Sequence, residues 1–492
     1  RAEQCKGSLI FAGYPPSTAA EADWGDYSAG WFTRALGRSL AESPLATSWQ
    51  AAIARAEVEL RALAPEFNRV AAQGRGTGRA FDLVEPTRDG HPMAGSVGWV
   101  QTGDRDRVTV TLAGVSPMLL PYMNAGTRFQ TLDGATTLEL RSRQGLTAKV
   151  EIVESDSSAP LQAGDAIVEV ERVLPSNVEL AVALCEHLER IEKVDTLGAL
   201  SSVNLADGFD FIDTHNPHEG LADCMFGKLV EADLASAPAG DSYPATGSYG
   251  LFSPGGTPMW DTFGVADEAP KMAVQRLAPR LRHLLAAKRL RMTANDTTSQ
   301  LALSVTLAND ATLWHQSTLA AIASAKPHPT SILDSKTRSH PIAPIQVKAG
   351  DRLRCAIENA DERSLSVCVF ALDSIGTMSA LVAPPQVGTL TSFPGRTAID
   401  LDTWLQGTFA VSQPPGPAEL MVVASLTPLD ATQQRIAAVA QKMGVNHGFI
   451  ALPHPLELVQ TLLDELSASA SGGKTSLSTQ QWVTLPALYT VV

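Results

Sequence analysis

The sequence predicts an α/β unit followed by a mostly β remainder: a partial α/β unit, a small β domain, a mixed α+β segment and a C-terminal β-sandwich. Three observations carry this. Residues 8–40 run from a short apolar stretch through a loop into helical spacing, and helical spacing returns over 47–63. From residue 95 short alternating runs recur at regular intervals, broken by Asp133-Gly134 and Gln144-Gly145 turn signals. Residues 300–427 alternate apolar and polar positions strongly. The expected organisation is therefore 1–94, 95–175, 176–298, 299–427 and 428–492. A chain of 492 residues exceeds one core, and about 150 residues per domain gives roughly three to four units.

Composition narrows the function classes. With 44% hydrophobic and 18% charged residues, the chain is of ordinary folded type. A net charge of -14 argues against nucleic acid and acidic membrane surfaces as partners, because both are polyanions. The five cysteines, Cys5, Cys185, Cys224, Cys355 and Cys368, are scattered without CxxC spacing, which suits a reducing, cytoplasmic setting and implies no zinc site. No apolar run reaches the length of about 18 residues that spans a bilayer. The chain opens at Arg1 without a basic n-region or apolar h-region, so no secretory signal is read, and a cleaved or truncated N-terminus is expected.

In order, the stretch from Ser8 opens as a short apolar strand, followed by a loop carrying Pro15, Pro16, Glu21, Asp23 and Asp26, then a helix after Gly30 with Trp31, Phe32 and Leu36 on one face. The second helix spaces Trp49, Ile53, Val58, Leu60 and Leu63, with Ser48 as its cap and Pro65 as its stop. Residues 67–81 form a glycine-broken extended segment. Ligands of α/β sheets bind outside the carboxyl ends of strands, so the loop after the first strand is the expected rim of a site. Ala19-Ala20-Glu21, the acidic glycine-containing spacer and Gly30-x-Phe32-Thr33-x-Ala35-Leu36 resemble the small-subunit half of caspase-like cysteine peptidases, of the bacterial metacaspase or orthocaspase type. The stretch around Gln73-Gly74 is similar to the strand with which that subunit ends.

Farther along, strands are expected over 96–101, 107–112, 136–141 and 146–151, closing a small β domain near Val173. Ser142-Arg143-Gln144-Gly145-Leu146, and LQAGD at 161–165 with the strand up to Leu174-Pro175, resemble the region after the protease unit of orthocaspase-like proteins. Residues 177–194 read as a strand entering a helix that contains LCEHLERIEKV, and 196–264 as irregular. The longest amphipathic stretch, 271–292, sets Val274, Leu277, Leu281, Leu284, Leu285 and Leu290 largely on one face, with Pro279 expected to kink or divide it. Its LLAAKRLRMTAND also looks like those proteins. The alternation over 300–427 favours a β-sandwich; there Ala349-Gly350-Asp351 and the Asp373 turn resemble an accessory domain of bacterial enzymes. Residues 428–466 read as mostly helical and 482–492 as a last strand.

The resemblance implies peptide hydrolysis through an acyl-enzyme, after Arg or Lys, by a histidine base and a cysteine thiolate on a preceding large-subunit segment. A thiol at its free pKa is mostly protonated, so the two must be held together. Neither a His-Gly nor a Cys-His-Ser/Gly motif precedes the first strand, and Cys5 has no apolar strand before it; no catalytic residue is assigned to this chain. The substrate-binding candidates are Gly13 and Tyr14, through the backbone, and Glu21, Asp23 and Asp26, whose carboxylates would read a basic side chain. The bland reading of these acids is a solvated loop or a cap on the following helix, and Pro16 stands where related loops often carry Asp. The expected partners are the preceding segment and a protein or peptide substrate.

The remaining motifs read as structure. His215 and His218, near Asp210, Asp213 and Cys224, have H-x-x-H spacing on a loop without a fourth ligand, so a surface loop is favoured over a metal. Residues 74–78 (GRGTG) and 471–476 (SGGKTS) lack the strand–helix context of a phosphate loop, and no cofactor is expected. The seven Lys and Arg residues over 271–291 suit a solvated face paired with acids elsewhere. The alternative function is a non-catalytic relative acting as a protein-binding or regulatory module, or a structural β-rich interaction protein.

Overall fold

The computed structural model describes the backbone of four short strands before residue 76 and most of residues 97–492, chiefly excepting 208–211, 216–221, 235–243, 322–344, 383–391, 402–415 and 468–474. In the first part, β1 (Ser8–Ala12) lies antiparallel to β4 (Ala71–Arg75), with Ser8 opposite Arg75 and Ala12 opposite Ala71. Between them β2 (Glu21–Asp23) pairs with β3 (Ser28–Gly30). Part of the expected loop is thus a pair of short strands, while the expected helices after Gly30 and over 47–63 lie outside the described residues.

A closed barrel follows. Strands β5 (Gly98–Asp104), β6 (Arg107–Thr111), β7 (Arg128–Thr131), β8 (Thr136–Gln144), β9 (Thr147–Ser155) and β10 (Ala166–Leu174) pair in the order β10-β5-β6-β9-β8-β7, and β7 returns to β10. Every pairing in the ring is antiparallel. Val100, Val110, Phe129, Leu138, Leu140, Ala148 and Ile167 are buried and fill the interior, as in any barrel of this size. Bulges between Leu140 and Ser142 and between Glu169 and Glu171 bend the strands enough to close. Gly98 is required where the start of β5 lies against the end of β6, because a Cβ there would overlap the Thr111 carbonyl oxygen.

The next unit is built on β11 (Leu180–Leu184), α1 (Arg190–Asp207), β12 (Ile212–His215), β13 (Cys224–Lys228), the single turn α2 (Glu231–Leu234), β14 (Tyr249–Phe252) and α3 (Pro270–Arg291). The sheet order is β12-β11-β13-β14; β11 runs parallel to β12 and β13, and β14 runs antiparallel to β13. The stretch expected to be irregular therefore holds most of α1 and three strands. Its strands are four or five residues long, and β14 is buried throughout, so no two-residue alternation marks them. The helix over 270–291 is not divided at Pro279. Ala273, Val274, Leu277, Ala278, Leu281 and Leu285 bury one face on either side of the proline, which holds the helix together across the missing hydrogen bond.

The last unit is a sandwich backed by helices. One sheet orders β15 (Leu303–Ala308), β16 (Leu313–Ser317), β18 (Arg354–Asn359) and β21 (Thr397–Asp400) as β16-β15-β18-β21. The other contains β17 (Ile345–Val347), β19 (Ser366–Leu372), β20 (Met378–Val382), β22 (Gly416–Ser425), β23 (Gly448–Ala451) and β25 (Trp482–Val491), ordered β17-β25-β22-β19-β20-β23. Leu303, Val305, Leu307 and Ile357 meet Val367, Val369, Leu420, Val422 and Leu485 between the sheets. The opposite face of the second sheet, with Cys368, Phe370, Met421 and Val423, packs into a core shared with α3, α4 (Asp430–Met443) and α5 (Pro455–Leu466). Being covered on both faces, β19 is buried along its whole length. Finally β24 (Thr475–Ser478) pairs with the far end of β10, tying the C-terminal part to the barrel. The architecture is mostly β, and no helix among the described residues is long and apolar enough to cross a membrane.

Candidate functional site

Of the sequence-predicted substrate residues, Glu21 and Asp23 lie on β2, opposite Gly30 and Ser28. Gly13, Tyr14 and Asp26, with Cys5, lie outside the described residues. Asp213 and His215 are on β12, whereas Asp210 and His218 lie outside the described residues. Cys224 is 1% exposed and points into the main core. Among the described residues no group of three His, Cys, Asp or Glu could hold a metal ion. Cys185 follows β11 at its carboxyl end, but burial, with Asp233 and Glu186 adding to it, pushes its thiol up to about 12. Burial likewise raises Cys224, Cys355 and Cys368. None of these four is a thiolate near neutral pH, so none has the reactivity of a nucleophile.

The carboxyl ends of the parallel strands β11 and β13 form the rim where an α/β sheet ordinarily binds its ligand. Here Glu192, in the first turn of α1, accepts from Tyr249 Oη at 2.6 Å, from Lys228 Nζ at 2.9 and 3.0 Å, and from the Glu189 amide at 2.6 Å. The Tyr249 ring stacks on Phe226, with centroids 5.7 Å apart. Burial raises the Glu192 pKa, but Tyr249, Lys228 and the Glu189 amide together outweigh it and hold the carboxyl below its ordinary value. Burial first, and Glu192 second, raise the Tyr249 phenol, which stays protonated as a donor. Glu192 is thus engaged by three separate donors, and the cluster locks α1 onto the sheet. No sequence motif marks it, because its members are 36 and 57 residues from Glu192.

Most cations of α3 that project toward the body have acidic partners. Arg276 pairs with Glu268 at 2.8 Å and donates to the Thr262 carbonyl at 2.6 Å. Lys288 pairs with Asp223 at 2.7 Å, donates to the Glu179 carbonyl and sits 4.9 Å over the Tyr122 ring. Arg291 pairs with Glu419 at 2.8 Å. Arg289 differs. Its Nη2 donates to the Val178 carbonyl at 3.2 Å, its buried Nε has no acceptor, and burial lowers its pKa. It lines a cavity of about 100 Å³ between the end of β10, α3, α5 and β24, whose walls include Leu174, Val178 and Leu463 with Gln460 and Thr475. In the sequence nothing separates Arg289 from its neighbours Lys288 and Arg291; only its phase on the helix does.

Comparison of the chain with protein-family models, with curated proteins and with solved structures gave no match.

Proposed function

We propose that the chain is the C-terminal part of a caspase-like cysteine endopeptidase, cleaving after Arg or Lys with a histidine and a cysteine supplied by a preceding segment. The observation that carries this reading is the antiparallel pairing of β1 with β4, which sets side by side the first and last strands of the stretch that resembles the caspase-like small subunit. A two-stranded sheet is marginal alone, and further strands from the preceding segment would complete it. The burial of Cys185, Cys224, Cys355 and Cys368 agrees with a nucleophile located elsewhere. In the reaction the thiolate attacks the scissile carbonyl, the histidine hands its proton to the departing amine, and water then hydrolyses the thioester. Glu21, Asp23 and Asp26, with the backbone of Gly13 and Tyr14, would read the basic side chain. The barrel and sandwich are accessory units of a cytoplasmic enzyme that engages protein or peptide and neither nucleic acid nor membrane.

The second reading is a non-catalytic relative whose β units bind a regulatory partner. It is favoured by the absence of a reactive thiol among the described residues. The test joins this chain to its preceding segment and assays peptides with Arg, Lys or Asp before the scissile bond. Cleavage after Arg and Lys is expected, reduced about tenfold to a hundredfold by Glu21→Gln, Asp23→Asn or Asp26→Asn at the carboxylate that forms the charge-assisted bond. Unchanged activity in all three variants removes them from the pocket. No cleavage of any peptide leaves the binding module.

A further inference from the structure

We infer that the cavity at Arg289 is a binding site for a short-chain organic monocarboxylate, independent of peptide hydrolysis. The guanidinium carries five N–H donors, and here one bond to the Val178 carbonyl, at 3.2 Å, is made while the Nε–H is buried with no acceptor. An unsatisfied buried donor on a charged group is costly, and a charge-assisted bond is the strongest way to relieve it. Among the described residues no carboxylate pairs with Arg289, in contrast to Arg276, Lys288 and Arg291 on the same helix. The carbonyls at the end of α3 favour a cation there, but they provide no bidentate acceptor for the fork.

The lining selects the class of anion. Leu174, Val178 and Leu463 offer an apolar wall, while Gln460 and Thr475 add polar groups to the same lining. A few polar groups beside an apolar wall fix the orientation of a small ligand with a charged head and an apolar tail. A volume of about 100 Å³ has room for a carboxylate head and a short hydrocarbon tail. Inorganic phosphate would leave the apolar wall unused, and an alcohol would leave the guanidinium unpaired.

Calorimetric titration of the whole chain with acetate, butyrate, inorganic phosphate, butanol and butylamine tests this. Butyrate is expected to bind saturably and more tightly than acetate, by about fourfold for each methylene buried, with phosphate, butanol and butylamine far weaker. Arg289→Met should weaken butyrate by about tenfold to a hundredfold and Arg289→Lys by less, because the charge remains while the fork is lost. Thr475→Val, nearly isosteric on a strand, should cost about fivefold and guards against a folding defect in the arginine variants. Butanol binding as well as butyrate, phosphate binding in preference to it, no saturable butyrate binding, or undiminished binding in natively folded Arg289→Met would each overturn the assignment.

Discussion

Glu192 concentrates at one residue the forces that fix α1 against the mixed sheet. Its carboxyl is held below the ordinary value in the folded chain, so its ionised form contributes stability that is present above the unfolded carboxylate pKa and is lost as pH falls through the folded one. Glu192→Gln keeps the shape and removes the charge. It should cost roughly 1–2 kcal/mol at neutral pH, the worth of hydrogen bonds to a charged acceptor. The cost should shrink as the pH drops below the carboxylate range, where the native residue has lost the same interaction. Urea midpoints of both proteins at several pH values check this, and a constant difference down to the most acid pH would contradict it. Lys228 and Tyr249 come from β13 and β14, so this contact was not legible in the sequence, where Glu192 lies within an expected helix and its first-turn position depends on where that helix begins.

Elements were legible where a single periodicity governs them. The barrel strands β8 and β9 alternate buried and more exposed positions over their first halves, and the sandwich strand β18 does so throughout, so two-residue periods found them. The four-residue β7 and the short strands β12 to β14 carry too few residues for a period, and the closure of β7 onto β10 is a long-range pairing that local pattern does not encode. The start of α1 was also displaced: 185–189 form a turn, with the Leu188 amide bonded to the Cys185 carbonyl, before the helix begins at Arg190. At α3 the helix runs undivided through its proline, with buried residues on both sides of it. His283, whose pKa burial lowers to about 4, stays neutral and accepts the Met378 amide at 3.1 Å, pinning the helix to β20 one turn beyond Pro279. Because Pro279 lies on the exposed side of a helix that buries residues both before and after it, Pro279→Ala should stabilise the chain by about 1–3 kcal/mol, restoring a hydrogen bond at some cost in unfolded-chain entropy. A lower urea midpoint in the variant would show that the proline shapes the helix to its seat.

At the scale of the whole molecule, the barrel and the sandwich meet at a buried ion pair. Arg172 and Glu169, with side chains 5% and 1% exposed, form a bidentate pair at 2.7 and 2.6 Å on β10. Arg172 also donates to the carbonyls of Met292 and Ala294 just beyond α3, and its guanidinium lies 5.7 Å from the centre of the Trp482 ring on β25. Thr298 adds a bond to Glu169 at 3.0 Å. One side chain thus joins the barrel wall, the end of the long helix and strand β25 of the second sandwich sheet. Removing it by Arg172→Met leaves a carboxylate buried without its cation and should cost about 3–5 kcal/mol. Replacing both partners, as Arg172→Met with Glu169→Leu, removes the stranded charge and should recover much of that loss, since apolar pairs of similar volume often match a buried ion pair. Recovery should be incomplete, because the Met292 and Ala294 carbonyls lose a donor in both variants. Equilibrium denaturation of the two variants and of Glu169→Leu alone completes the cycle. A double variant no more stable than Arg172→Met would mean that the junction is held by the carbonyl contacts and the Trp482 packing, with the ion pair incidental to it.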